Sequence, residues 1–161
     1  LNLTVYQYLK IISGKTAALF EASYYAGAVF SKCDEAEMKK YRQLGFYVGM
    51  IFQLTDDCID FENTVETAHK PVQSDYEQGV ITLPLIHAFA SMEELKDKAA
   101  KLALTRQEIN EAVQRSGGLG FTKMVAKKYY NKSLKLIEKL DASQEKKNKL
   151  IYVLNKAFRL A

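Results

Sequence analysis

Gly45-Phe46-Tyr47-Val48-Gly49-Met50-Ile51-Phe52-Gln53-Leu54-Thr55-Asp56-Asp57-Cys58-Ile59-Asp60-Phe61 is the informative stretch of this chain. It holds no proline, and its apolar residues recur at three- and four-residue spacing, which predicts a helix. Asp34 at a cap position and Glu37 three residues later open that helix as a capping box, so it runs from about 35 to 61. At ~100° per residue, Gln53, Asp56, Asp57 and Asp60 fall within one arc. Like charges at that spacing destabilise a helix, and burial makes the conflict worse.

A divalent cation removes the conflict. Mg²⁺ prefers hard oxygen ligands, keeps several waters and completes its shell with substrate phosphates. The plainer reading is a solvated helix end, but Met50, Ile51, Phe52, Leu54, Ile59 and Phe61 flank the acids and argue against simple exposure. Gly45 and Gly49 lie nearly in line with Gln53, leaving room for a packed helix or a slender apolar ligand. Phe46 points the same way, as an apolar wall.

Working outward, Val5, Leu9 and Ile12 mark a first helix ending near Gly14, and Leu19, Phe20, Ser23, Ala26 and Phe30 mark a second. Lys15-Thr16 then sits at a helix N-terminus, where an ammonium, a hydroxyl and backbone N–H groups favour an anion. Alone, Gly14-Lys15-Thr16 is a weak signal, because it lacks the earlier glycine and the strand of a P-loop. The polar run from 63 to 79 reads as a loop, and its Lys70 can return positive charge to a metal-bound diphosphate. Thr82 caps the next helix with Pro84 in its first turn, Thr105 and Glu108 form another capping box, and Gly117-Gly118 ends that helix. Helices over 119–140 and 143–160 follow. The expected fold is all-α, an antiparallel helix bundle.

Composition agrees. Of 161 residues, 48% are hydrophobic and 26% charged, with only two prolines and eight glycines to break helices. Cys33 and Cys58 have neither disulfide nor zinc spacing, so a cytoplasmic setting is expected. No run reaches the ~20 apolar residues of a membrane span. Residues 1–95 carry seven Lys/Arg against 13 Asp/Glu, net −6; residues 96–161 carry 16 against six, net +10. The late lysines recur at helical spacing (Lys128, Lys132, Lys135, Lys139), as on a solvated face. Weak contact with an anionic membrane surface is a second reading, and no nucleic-acid signature is present. The first residue is Leu1, and further sequence upstream is expected.

The ordered set Gly14-Lys15-Thr16-Ala17, Phe52 to Phe61, Lys70-Pro71 and Thr82-Leu83-Pro84-Leu85 resembles the trans-isoprenyl diphosphate synthases, and 117–129 is similar to a late helix of that family. The resemblance covers essentially the whole chain, as the C-terminal portion of a single synthase domain. It implies that Asp56, Asp57 and Asp60, the second aspartate-rich motif, hold Mg²⁺ on the diphosphate of an allylic substrate, with Asp56 the most direct ligand. Lys15 would contact that diphosphate, Thr16 and Gln53 would favour a developing carbocation, Lys70 would neutralise departing pyrophosphate, and Phe52 would pack beside the substrate. The implied reaction condenses isopentenyl diphosphate with the allylic diphosphate by ionisation, condensation and elimination, in a homodimer or heterodimer.

Departures remain. Val80 follows Gly79 where the family often has lysine, and His69 replaces the usual glycine before Lys70-Pro71. The first aspartate-rich motif is not in these 161 residues, so they are expected to be inactive alone. A catalytically silent partner subunit and a terpene cyclase of similar fold are the competing readings.

Overall fold

The computed structural model describes residues 3–62, 80–100 and 104–159. Among them the regular structure is entirely helical: α1 (Val5–Ile12), a π-helical turn (Ser13–Ala17), α2 (Ala18–Phe30), α3 (Glu35–Glu62), α4 (Leu83–Ser91), α5 (Glu93–Ala100), α6 (Arg106–Ser116), α7 (Gly118–Glu138) and α8 (Gln144–Ala157). The all-α expectation holds, and α3, α7 and α8 lie within a few residues of their expected bounds. α5 has no counterpart in the sequence reading; Met92, extended at φ −136° and ψ 92°, separates it from α4.

The chain forms two compact units, Leu1–Leu9 with Asp56–Met124, and Lys10–Thr55 with Val125–Ala161. The first gathers α4, α5 and α6 around a core of Leu85, Phe89, Leu104, Ile109 and Val113, closed by Phe61 and Leu119. The α6–α7 junction rests on two glycines. Gly117 caps α6 in the left-handed region (φ 71°), where a side chain is strained. Gly118 lies so close to α4 that an added Cβ would fall 2.3 Å from the Pro84 carbonyl oxygen. Thr105 and Glu108 make both bonds of the expected capping box, Glu108 N–H to Thr105 Oγ1 (3.3 Å) and Thr105 N–H to Glu108 Oε2 (2.8 Å). Thr82 holds the N-cap position of α4, but only its carbonyl takes part, accepting from Leu85 and Ile86 N–H; its hydroxyl makes no capping bond.

In the second unit, α3 buries Leu44, Val48, Ile51 and Leu54, a three- and four-residue stripe. The box predicted at its start is half made. Asp34 Oδ1 accepts from Glu37 N–H at 2.8 Å, but Glu37 does not reciprocate. Its buried carboxylate pairs with Lys40 and accepts from Asp141 N–H at 3.1 Å, in the turn between α7 and α8. A cation and an orphan helix-end donor compensate the charge better than the cap backbone would.

Candidate active site

The acidic turn of α3 divides by helical register. Asp56 is exposed and Asp60, about one turn on, is half-buried, whereas Asp57 lies about 100° round the axis toward the buried side. Asp57 is only 1% exposed, beside the buried Leu54 and Cys58. Its Oδ2 accepts a hydrogen bond from the Tyr8 hydroxyl at 2.6 Å, the short length of a charge-assisted O–H···O⁻ bond. Sequence reasoning missed Tyr8, because a contact across 49 residues leaves no mark in local periodicity. Burial pushes the Cys58 thiol up to about 12, and the nearby Glu62 and Asp57 carboxylates add to the shift.

The donor chemistry suits a hard cation of a particular kind. Asp56 and Asp60 are carboxylates about one turn apart on α3. No group of three or more His, Cys, Asp or Glu side chains among the described residues is arranged as a metal cage. Two carboxylates one turn apart would suit an ion such as Mg²⁺, which takes one or two carboxylates and fills its shell with water and phosphate oxygens.

Lys15 and Thr16 do not stand at a helix start. The chain passes without a break from α1 through the π turn into α2, and Ala18 N–H bonds to Ser13 O five residues back. The expected break at Gly14 is therefore corrected: one glycine costs a helix only about 1 kcal/mol, too little by itself to end it. The N–H groups here point along the axis, as inside any helix, so they offer no free anion site, and the Lys15 side chain is exposed. Single π turns are frequent at functional sites, because the inserted residue re-aims its neighbours.

Two of the expected residues meet within the second unit. Thr16 Oγ1 donates to Gln53 Oε1 at 2.8 Å. A hydroxyl that has given its proton away presents only lone pairs on its remaining side. It can favour positive charge there but cannot protonate anything.

The room beside Gly45 and Gly49 is filled by a helix, which settles that alternative. An added Cβ would fall 2.5 Å from the Phe20 carbonyl oxygen at Gly45, and 2.6 Å from the Ala17 Cα at Gly49. Phe46 borders a cleft of about 400 Å³ with Glu21, Lys39, Arg42 and Gln43, and its ring also meets Tyr47 and Tyr129, with centroids 6.0 and 6.3 Å away. Phe52 packs against Phe20 (centroids 5.4 Å apart), and the Arg159 guanidinium lies 5.2 Å from its ring centroid, a cation–π contact absent from the sequence reading. His87 stacks on Phe121 with centroids 4.4 Å apart, a packing role. Lys70 lies outside the described residues.

Residues 1–116 match the family described as Polyprenyl synthetase. The chain is 33% identical over 147 residues to heptaprenyl diphosphate synthase component 2 of Geobacillus stearothermophilus, covering 85% of this chain and 44% of that protein. The crystal structure of heptaprenyl diphosphate synthase from Staphylococcus aureus superposes with a TM-score of 0.86 at 33% identity, over 98% of this chain and 51% of the other. That of polyprenyl synthase from Caulobacter crescentus CB15, complexed with calcium and isoprenyl diphosphate, gives 0.85 at 32% identity, over 98% and 50%. The chain thus spans about half the length of the relatives it matches. An all-helical fold, an acidic turn on its longest described helix and these likenesses lead to one conclusion: the chain belongs to the polyprenyl synthetase family.

Proposed function

We propose that these residues are the C-terminal portion of a single trans-polyprenyl diphosphate synthase domain, which condenses isopentenyl diphosphate with an allylic prenyl diphosphate. The observation that carries the reading is the register of α3, where exposed Asp56 follows about one turn beyond Gln53, itself bonded to Thr16, and half-buried Asp60 about two turns beyond it. Heptaprenyl synthases among the relatives support a prenyl product. Calcium and isoprenyl diphosphate in the Caulobacter crescentus enzyme support a divalent cation and a diphosphate in the same family.

Asp56 and Asp60 would hold Mg²⁺, with Asp57 in the same acidic set. When bound, Mg²⁺ withdraws charge from the allylic diphosphate and makes it a better leaving group. Lys15 neutralises the same diphosphate. The C–O bond of the allylic carbon breaks with its electron pair leaving on pyrophosphate. The Thr16 oxygen faces the resulting cation with lone pairs, held in that sense by its bond to Gln53. The double bond of isopentenyl diphosphate supplies the pair for the new C–C bond, and pyrophosphate takes the proton then lost. No protein base is required. Phe52, fixed by Phe20, stands beside the substrate. Lys70 joins Lys15 in neutralising pyrophosphate.

Partners follow from surface and kinship. Leu19 is 70% and Phe30 87% exposed on α2, a costly display of apolar area that supports packing against further polypeptide. The word component in the name of the Geobacillus stearothermophilus relative supports a heteromeric assembly, and a homodimer is the other form. No described helix is long and apolar enough to cross a membrane. A cytoplasmic enzyme is the reading we adopt.

The test is Asp56→Ala in the full-length enzyme. Turnover of allylic diphosphate with labelled isopentenyl diphosphate should drop by orders of magnitude while helicity is kept. Near-normal turnover gives Asp56 another role, and prenyl transfer by the isolated 161 residues would show that they are not part of a larger site.

A further inference from the structure

The last two turns of α3 are badly placed by simple electrostatics. Asp56, Asp57, Asp60 and Glu62 crowd a helix C-terminus, the negative end of its dipole. Like charges three or four residues apart add mutual repulsion. Two contacts in the same compact unit oppose this. Lys123 of α7 pairs with Glu62 at the surface, and Tyr8 of α1 bonds to Asp57 from the interior.

The second contact is the more demanding of the two. A carboxylate with 1% exposure has lost its water, and Tyr8, itself 5% exposed, replaces some of it with a directed donor at 2.6 Å. A leucine at position 57 would pack there without that need. The acid and its buried phenol act together as a latch: they hold one carboxylate inward and so set the rotation of the turn that carries its neighbours outward.

We propose that Tyr8 is a positioning residue for the metal-binding turn: it anchors Asp57 inside the protein, so that Asp56 and Asp60 are presented to the cation while Asp57 serves as anchor and not as ligand. This rests on the Mg²⁺–diphosphate reading of α3 given above. Direct partners of metal ligands typically account for about 10–100-fold in metal affinity, and Tyr8, acting one step further out through the turn, is expected at the lower end of that range.

The test is calorimetric binding of a non-hydrolysable allylic diphosphate analogue to the full-length protein over a range of Mg²⁺ concentrations, with amide exchange across residues 56–62. Tyr8→Phe removes only the hydroxyl. It should raise the Mg²⁺ needed for half-maximal binding about tenfold and speed exchange in that turn. Asp57→Asn keeps an acceptor for Tyr8 and should leave the Mg²⁺ requirement well short of the roughly tenfold rise expected for Tyr8→Phe. A Tyr8→Phe protein that melts earlier but needs no more Mg²⁺ would reduce the contact to packing and overturn the proposal. A tenfold rise for Asp57→Asn with none for Tyr8→Phe would make Asp57 a ligand and overturn it too. If the unsubstituted protein binds the analogue without any divalent cation, the functional reading itself fails, and the two failures are told apart.

Discussion

Thr16 and Gln53, 37 residues apart, share a hydrogen bond of 2.8 Å in which the threonine hydroxyl donates and the amide oxygen accepts. That direction fixes what the threonine can do, since its proton is committed and its lone pairs are not. Thr16→Val in the full-length enzyme should lower kcat about tenfold, the rate equivalent of one ordinary hydrogen bond's ~1.4 kcal/mol. Thr16→Ser, which keeps the donor, should recover most of it. Steady-state turnover of both variants, with circular dichroism as a folding check, decides the matter.

Two glycines two residues apart on α7 should respond in opposite senses. A Cβ at Gly118 would meet the Pro84 carbonyl oxygen at 2.3 Å, whereas nothing lies within 4 Å of the Cβ position at Gly120. Gly118→Ala should destabilise by about 1–3 kcal/mol, as overpacking does. Gly120→Ala should stabilise by about 0.5–1 kcal/mol through helix propensity. Urea unfolding of the two variants measures both, and equal effects would contradict this packing of α7 on α4.

The start of α6 should weaken in acid. The Thr105 backbone N–H, then the Lys98 ammonium and the Thr105 hydroxyl, lower the Glu108 carboxyl from 4.5 to about 2. A carboxyl that binds its proton less tightly when folded adds stability that is whole above about pH 4.5 and is lost as the pH falls toward about 2. Amide exchange at the first turn of α6 should therefore quicken across that interval, and less so in Glu108→Gln. Thr105→Ala should cost about 1 kcal/mol at neutral pH, the usual value of a lost N-cap.

Cys58 should be inert where Cys33 is reactive. Cys58 is fully buried and its thiol is raised to about 12, so almost no thiolate exists at pH 8. Cys33 is only half-buried, in the turn between α2 and α3. Iodoacetamide at pH 8 should modify the Cys33 peptide in the native protein and the Cys58 peptide only after denaturation, as mass spectrometry of the digest would report. Rapid native labelling of Cys58 would mean that the acidic end of α3 opens.

The one-dimensional pattern was enough for whatever depends on near neighbours in the chain. The period of apolar residues, the Thr105–Glu108 cap and the Gly117 stop are set within four residues, and all appear as expected. The shared face of Gln53 and Asp56 is likewise a matter of ~100° per residue. Where the reading of the α3 cap failed, a distant group had changed the local balance. Glu37 abandoned its cap for Asp141, 104 residues away. Gly14 did not break the helix.

Only the tertiary structure decided which member of an acidic trio faces inward. Register places Asp57 toward one edge of the arc, but its 1% exposure and a phenol from α1 make that edge an interior. It also decided that the space at Gly45 and Gly49 belongs to a helix. The physical reason is common to both. Helical periodicity fixes the angle between side chains, whereas what occupies the space they enter depends on which distant segments fold against them.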